Sequence, residues 1–323
     1  MRGCLQLGRR PEVGRRGGSE DRRRCLVRHA GGGGPVSARR YRPDWAAVPV
    51  VAFLGVFFAL PIAAALLAGF LKYDPIILVG REFTFANYVR FLTDWFYLRV
   101  FVDTLVIAVL VTAASVVIAY PVALHLHHVA SSRTRTFLIL IILLPVMVSY
   151  VVTAFAWVVI LGRNGFVNQA LMATGLLERP MALLSRPSGV VIVLIYTFAP
   201  FMVMNIYAAL EAIDRSLLRA AAVLGATPRA AFWSVTVPMS LPGVLSGTLL
   251  VFALSLGAFV TPMIIGGNQV KTVPVMIYNF VSGVFDWPGA GAMAGLLLVL
   301  SYGCNYIISL IFHRRLAWLK NQR

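Results

Sequence analysis

Six stretches of this 323-residue chain contain no Asp, Glu, Lys or Arg: residues 48–70, 104–124, 136–161, 187–210, 241–265 and 289–312. Each exceeds twenty residues. A helix rises 1.5 Å per residue, so about 20 residues cross a hydrocarbon core of about 30 Å. In lipid the backbone has to satisfy its own hydrogen bonds, which selects helices. The sequence therefore predicts an all-α, polytopic membrane protein with six transmembrane helices. Pro61, Pro121, Pro145, Pro200 and Pro262 fall inside these stretches. Prolines are tolerated there when neighbouring groups satisfy the freed carbonyls, and they often mark kinks.

Composition excludes the main alternative. Charged residues make up 13% of the chain and hydrophobic ones 59%, against about 25% charged in soluble domains. The net charge of +17 would suit a nucleic-acid binder. The excess lies outside the apolar stretches, however, and much of it at one end. The lipid bilayer is the expected partner and nucleic acid is not.

Residues 1–43 hold twelve Arg against three acids, with a Gly31–Gly34 run. The segment lacks apolar periodicity and is expected to be a disordered tail. About forty polar residues precede the first apolar stretch, unlike the short basic region of a signal peptide. The permease domain is expected over 44–318 and a short C-terminal tail over 319–323. With both termini cytoplasmic, the inner segments carry 21 Lys/Arg and the outer ones 8. Without the first 47 residues the inside still leads, 9 to 8, over much less chain. The positive-inside rule then places both termini in the cytoplasm. Cys4, Cys25 and Cys304 show no CxxC spacing and form neither a disulfide framework nor a metal site.

The segment 211–240, EAIDRSLLRAAAVLGATPRAAFWSVTVPMS, is long for a turn and heavily punctuated. Asp214 can N-cap a short helix with apolar Leu217, Leu218, Ala221, Ala222 and Leu224. Gly225 falls where a left-handed residue ends a helix. Thr227 can cap a second helix with Pro228 at its first position. Phe232, Trp233 and Val237 give that helix apolar contacts, and Pro238 is expected to stop it. A DNA-reading helix-turn-helix shares the outline, but its recognition helix needs polar side chains. An elbow tethered between two spans, carrying Phe232 and Trp233, reads instead as a docking element for a cytoplasmic partner.

The run Arg219-Ala220-Ala221-Ala222-Val223-Leu224-Gly225-Ala226, followed by Phe232 and Pro238, resembles the EAA loop of ABC importer permeases. Ala199-Pro200-Phe201-Met202-Val203 with Tyr207 and Asp214, Leu143-Leu144-Pro145 to Trp157, Leu161-Gly162-Arg163-Asn164-Gly165, and Phe259-Val260-Thr261-Pro262 with Gly266-Gly267 resemble the spermidine/putrescine-type members. The resemblance covers roughly residues 45–318. It implies a type I ABC importer permease fold in a bacterial inner membrane. It also implies ABC ATPase subunits, a second permease in a heterodimer and an extracytoplasmic solute-binding protein as partners. Coupling to the ATPase would fall to Arg219, Ala220, Ala221, Leu224, Gly225, Ala226, Pro228 and Phe232. The implied cargo is a polyamine or a related small organic solute, moved by alternating access. Three positions depart from the pattern: Arg219 replaces the usual glutamate, Thr153 a frequent arginine and Ala258 a frequent acid.

No catalytic or metal site is expected. A P-loop needs GxxxxGK[ST], and the nearest run, Gly266 to Thr272, has Val270 where its second glycine belongs. ATP and Mg are accordingly expected on the partner ATPase, with no cofactor on this chain. His125, His127 and His128 cluster without a neighbouring carboxylate or cysteine in sequence, which favours an interfacial cluster over a metal site. Polar residues in the spans mark a candidate path for the solute: Asp103, Thr153, Trp157, Asn205, Tyr207, Thr261, Tyr302 and Asn305. Taken singly, interhelical hydrogen bonding accounts for each equally well. An ATP-independent channel or secondary carrier, or a membrane-anchored regulator, remains an alternative, although no internal repeat of the carrier type is visible.

Overall fold

A computed structural model describes residues 48–80, 82–175 and 178–320. The tail expected over 1–43 lies outside them. Two units are distinguished, residues 1–56 and 57–323. The described part of the first is the opening half of helix α1 (Val48–Ala68).

The second unit continues with α2 (Ala86–Thr93), α3 (Trp95–His128), α4 (Ser132–Met147), α5 (Tyr150–Leu161), α6 (Phe166–Ala173) and α7 (Pro187–Glu211). Two short helices follow, α8 (Arg215–Val223) and α9 (Pro228–Ala231), then α10 (Val237–Leu256), α11 (Val273–Ser282) and α12 (Trp287–Lys320). Residues 321–323 of the expected C-terminal tail lie outside the described residues. Among the described residues, six helical segments are long and apolar enough to cross a membrane.

The core is built from α3, α7 and α10. Ile107, Val111, Ala119, Leu194, Met202, Ile206 and Val251 form one buried cluster. Glycine lets α10 lie close on α7. A Cβ at Gly243 would run into the Ala209 Cβ and come within 2.6 Å of the Asn205 carbonyl. Small residues at helix crossings serve this purpose where lipid supplies no hydrophobic drive. A second cluster, Phe91, Tyr97, Phe280 and Met293, joins α2, α3, α11 and α12. There Thr104 of α3 accepts the Val273 N–H at 3.0 Å, fixing the start of α11.

Two of the six stretches differ from expectation. Residues 136–161 are not one helix. Val148 and Ser149 are extended (ψ 142° and 135°) and separate α4 from α5. Pro145 lies in the last turn of α4, where its ring and missing N–H weaken the ladder. The stretch 241–265 ends its regular helix at Leu256, with Gly257 as cap. The chain resumes as a π-helical turn over Pro262–Gly266.

Candidate functional site

The elbow forms between α7 and α10 largely as its residues dictate. The Asp214 carboxylate accepts the Ser216 N–H at 2.8 Å and caps α8. That hydrogen bond holds its pKa below the ordinary value of 3.8. Gly225 has φ +83°. Around it the Gly225 N–H donates to Ala222 O and the Ala226 N–H to Ala221 O, both at 3.0 Å. These bonds satisfy the last carbonyls of α8 in a Schellman turn. The Thr227 hydroxyl accepts the Ala230 N–H at 3.3 Å, capping α9.

Pro238 does not stop the second helix. A π-helical turn over Phe232–Thr236 carries it into α10, and the Val237 N–H reaches back to Phe232 O. The helix runs on through this wider turn, so α9 and the span are continuous. Helices tolerate such bulges, often at functional sites.

The tip of the elbow is apolar and open. Val223 and Leu224 are 86% and 87% exposed, and Trp233 is 70% exposed. Arg219, Ala220, Pro228 and Arg229 are also exposed, Ala221 and Ala226 half-buried. Phe232 turns inward, edge-on to Tyr120 of α3 at 6.3 Å. The Tyr120 hydroxyl lies 3.0 Å from the Ser240 hydroxyl. Of the predicted docking residues, Phe232 is thus an anchor and the others surround the exposed turn.

At the other end of the spans, the two interruptions face one another. Tyr150 at the start of α5, Phe198 of α7 and Gly257, Phe259 and Thr261 beyond α10 line a cavity of about 250 Å³. Of the eight predicted path residues, Thr261 alone lines it. Thr153, one turn from Tyr150, is buried. Trp157 packs edge-on against Tyr196 of α7 at 5.3 Å.

The remaining candidates lie elsewhere. Asn205 bridges helices, donating to Phe201 O at 2.8 Å and accepting the Ser246 hydroxyl at 3.0 Å. Asp103 is half exposed, 3.9 Å from Arg99 one turn away. Tyr302 is exposed on α12. Asn305 donates to Ser301 O at 2.9 Å, while its buried Oδ1 has no hydrogen-bond partner among the described residues. Tyr207 has Glu211 and Arg135 as its electrostatic neighbours. Those two belong to a cluster that sequence reading missed. Glu211 Oε1 lies 3.3 Å from His127 Nδ1 and 3.5 Å from Arg135 Nη1. Partners so far apart in sequence meet only through the packing of α3, α4 and α7. Among the described residues no group of three or more His, Cys, Asp or Glu is placed to hold a metal ion.

Residues 115–318 match the family described as binding-protein-dependent transport system inner membrane component. The spermidine/putrescine transport system permease protein PotB of Escherichia coli is 30% identical over 261 residues, covering 81% of this chain and 94% of the relative. The inner membrane ABC transporter permease protein YdcU of the same organism is 31% identical, covering 77% and 82%. The molybdenum transport system permease protein ModB of Mycobacterium bovis is 30% identical, covering 80% and 90%. Among solved structures, a chain of a bacterial alginate ABC transporter, in complex with an alginate pentasaccharide-bound periplasmic protein, superposes with a TM-score of 0.70 at 19% identity. The alignment covers 92% of this chain and 97% of that one. The chain belongs to the family of binding-protein-dependent transport system inner membrane components, and is a multi-pass permease subunit of an ABC importer.

Proposed function

We propose that this permease forms one half of the path for a polyamine or a related small organic solute. The elbow over 211–240 seats on a separate ATPase subunit that binds ATP and Mg. A second, different permease completes the path, and an extracytoplasmic binding protein delivers the solute. Both termini face the cytoplasm. The observation carrying this reading is the elbow: a capped, rigid turn with Val223 and Leu224 fully presented, continuous through the π-helical turn with a spanning helix. Such an element converts a push at its tip into movement of a span.

The polyamine assignment draws on the PotB likeness. The cavity beside Tyr150, Phe198 and Phe259 offers aromatic faces, which attract cations, but among the described residues its lining contains no carboxylate. The second permease would therefore supply the acids that balance an amine. Reconstitution tests the proposal. Vesicles holding the two permeases, the ATPase and the binding protein take up labelled spermidine only with ATP. Uptake by this chain alone without ATP would establish a channel or carrier instead.

A further inference from the structure

We propose that Glu211 is a positioning residue for energy coupling: its carboxylate ties the inner ends of α3 and α4 to the end of α7, so that displacement of the elbow reaches three helices at once. The inference rests on the elbow being the docking element of the proposed function.

Glu211 is the last residue of α7, and Asp214 already caps α8. The carboxylate thus sits where the span hands over to the elbow. Its single oxygen Oε1 meets both His127 Nδ1 and Arg135 Nη1, at 3.3 Å and 3.5 Å. His127 closes α3 and Arg135 opens α4. A carboxylate only accepts, so Nδ1 of His127 carries the hydrogen. The Arg135 guanidinium sets an opposite charge beside the carboxylate. The three side chains are 20%, 32% and 37% exposed. Ion pairs at that depth are screened less than freely exposed ones.

The surroundings make this contact matter. Between its two ends the elbow does not pack tightly on the bundle. A cleft of about 300 Å³ lies beneath it, lined by His127, His128, Leu218, Phe232 and Thr236. Load on the elbow therefore enters the bundle near its two ends, with Ile213 buried in the core beside the entrance. One is the exit, where Phe232 meets Tyr120 and Tyr120 meets Ser240. The other is the entrance at Glu211. Without the Glu211 contact, α4 would keep its Arg135–Tyr207 interaction with α7, which lies one turn short of the elbow.

The test uses the complete importer in vesicles and reads solute moved per ATP hydrolysed. Glu211→Gln and Arg135→Gln should each lower that ratio about fivefold or more, with ATP hydrolysis and co-purification retained. The reversed pair, Glu211→Arg with Arg135→Glu, should recover most of it, which the two residues acting independently would not produce. An unchanged ratio in both single variants would overturn the proposal, as would a reversed pair no better than the singles. Failure of the proposed function is separate: the wild-type importer would then show no ATP-dependent uptake at all.

Discussion

The Ala226 N–H donates to the Ala221 carbonyl at 3.0 Å, across a Gly225 held at φ +83°. A Cβ at Gly225 would meet nothing within 4 Å, so the demand there is conformational and not steric crowding. A β-branched residue resists positive φ, at a cost of roughly 1–2 kcal/mol. Gly225→Val should therefore distort the turn and uncouple ATP hydrolysis from uptake. Gly225→Asn, which tolerates the left-handed region, should retain coupling. Paired hydrolysis and uptake assays distinguish the two, and normal transport by the valine variant would remove this account of the turn.

Gly243 makes the opposite demand. Its φ is ordinary, but an added Cβ would strike Ala209 and the Asn205 carbonyl. Neither is the free end of a flexible side chain. Gly243→Ala should push α10 off α7 and cost about 1–3 kcal/mol, as overpacking does. A lowered thermal midpoint of the purified permease in detergent is the expected result. The Asn205–Ser246 hydrogen bond at 3.0 Å spans the same crossing and should weaken with it.

Most of the elbow could be read directly because its determinants are local. Asp214, Gly225, Thr227 and Pro228 each act within a few residues, through caps and a left-handed turn. The end of the second helix could not be read this way. Pro238 is ordinarily a stop, but here it stands at the first positions of the span helix that follows a π-helical turn over Phe232–Thr236. The spans were legible as charge-free runs, yet hydropathy alone does not register a break such as Val148–Ser149, where both flanking helices stay apolar. For the same reason Tyr150 and Phe198 are not singled out by the sequence, and Phe259 only as part of a motif, being ordinary aromatic residues until the two breaks face each other. The Glu211 cluster was invisible because its members are joined by tertiary packing alone.

Asp214 gives the elbow a pH response of known sign. Its pKa is lowered by the hydrogen bond from Ser216, so the ionised cap favours the folded elbow. That contribution is present above the ordinary carboxylate pKa of 3.8 and is lost as pH falls through the lower folded value. Coupling should thus be insensitive to this group near neutrality. Asp214→Asn keeps an acceptor for the Ser216 N–H and should leave neutral-pH coupling intact. Asp214→Ala removes it and should fray α8, measured as faster amide exchange over 215–218.

Arg219 stands exposed on α8, where the family resemblance has a glutamate. Among the described residues no salt bridge to Arg219 is present within 4 Å. The exposed apolar turn of Val223 and Leu224 is the stronger candidate for holding the ATPase, since surface charges contribute about 1 kcal/mol or less. Arg219→Glu should leave co-purification with the ATPase unchanged, whereas Leu224→Asp should abolish it. Loss of the complex in the Arg219 variant would show that the arginine has an acidic partner of its own.

The cavity between the two interruptions can be tested through Ala258, which lines it beside Phe198 and Phe259. Most of its lining is apolar, so a carboxylate placed there would find few polar partners of its own. Ala258→Asp should still assemble. A bound amine would supply the counter-charge, with the aromatic faces adding attraction. The variant should therefore lower the KM for spermidine severalfold while leaving that for an uncharged solute unaltered. An unchanged KM for every amine, in a variant that assembles and hydrolyses ATP normally, would place the solute's route outside this cavity.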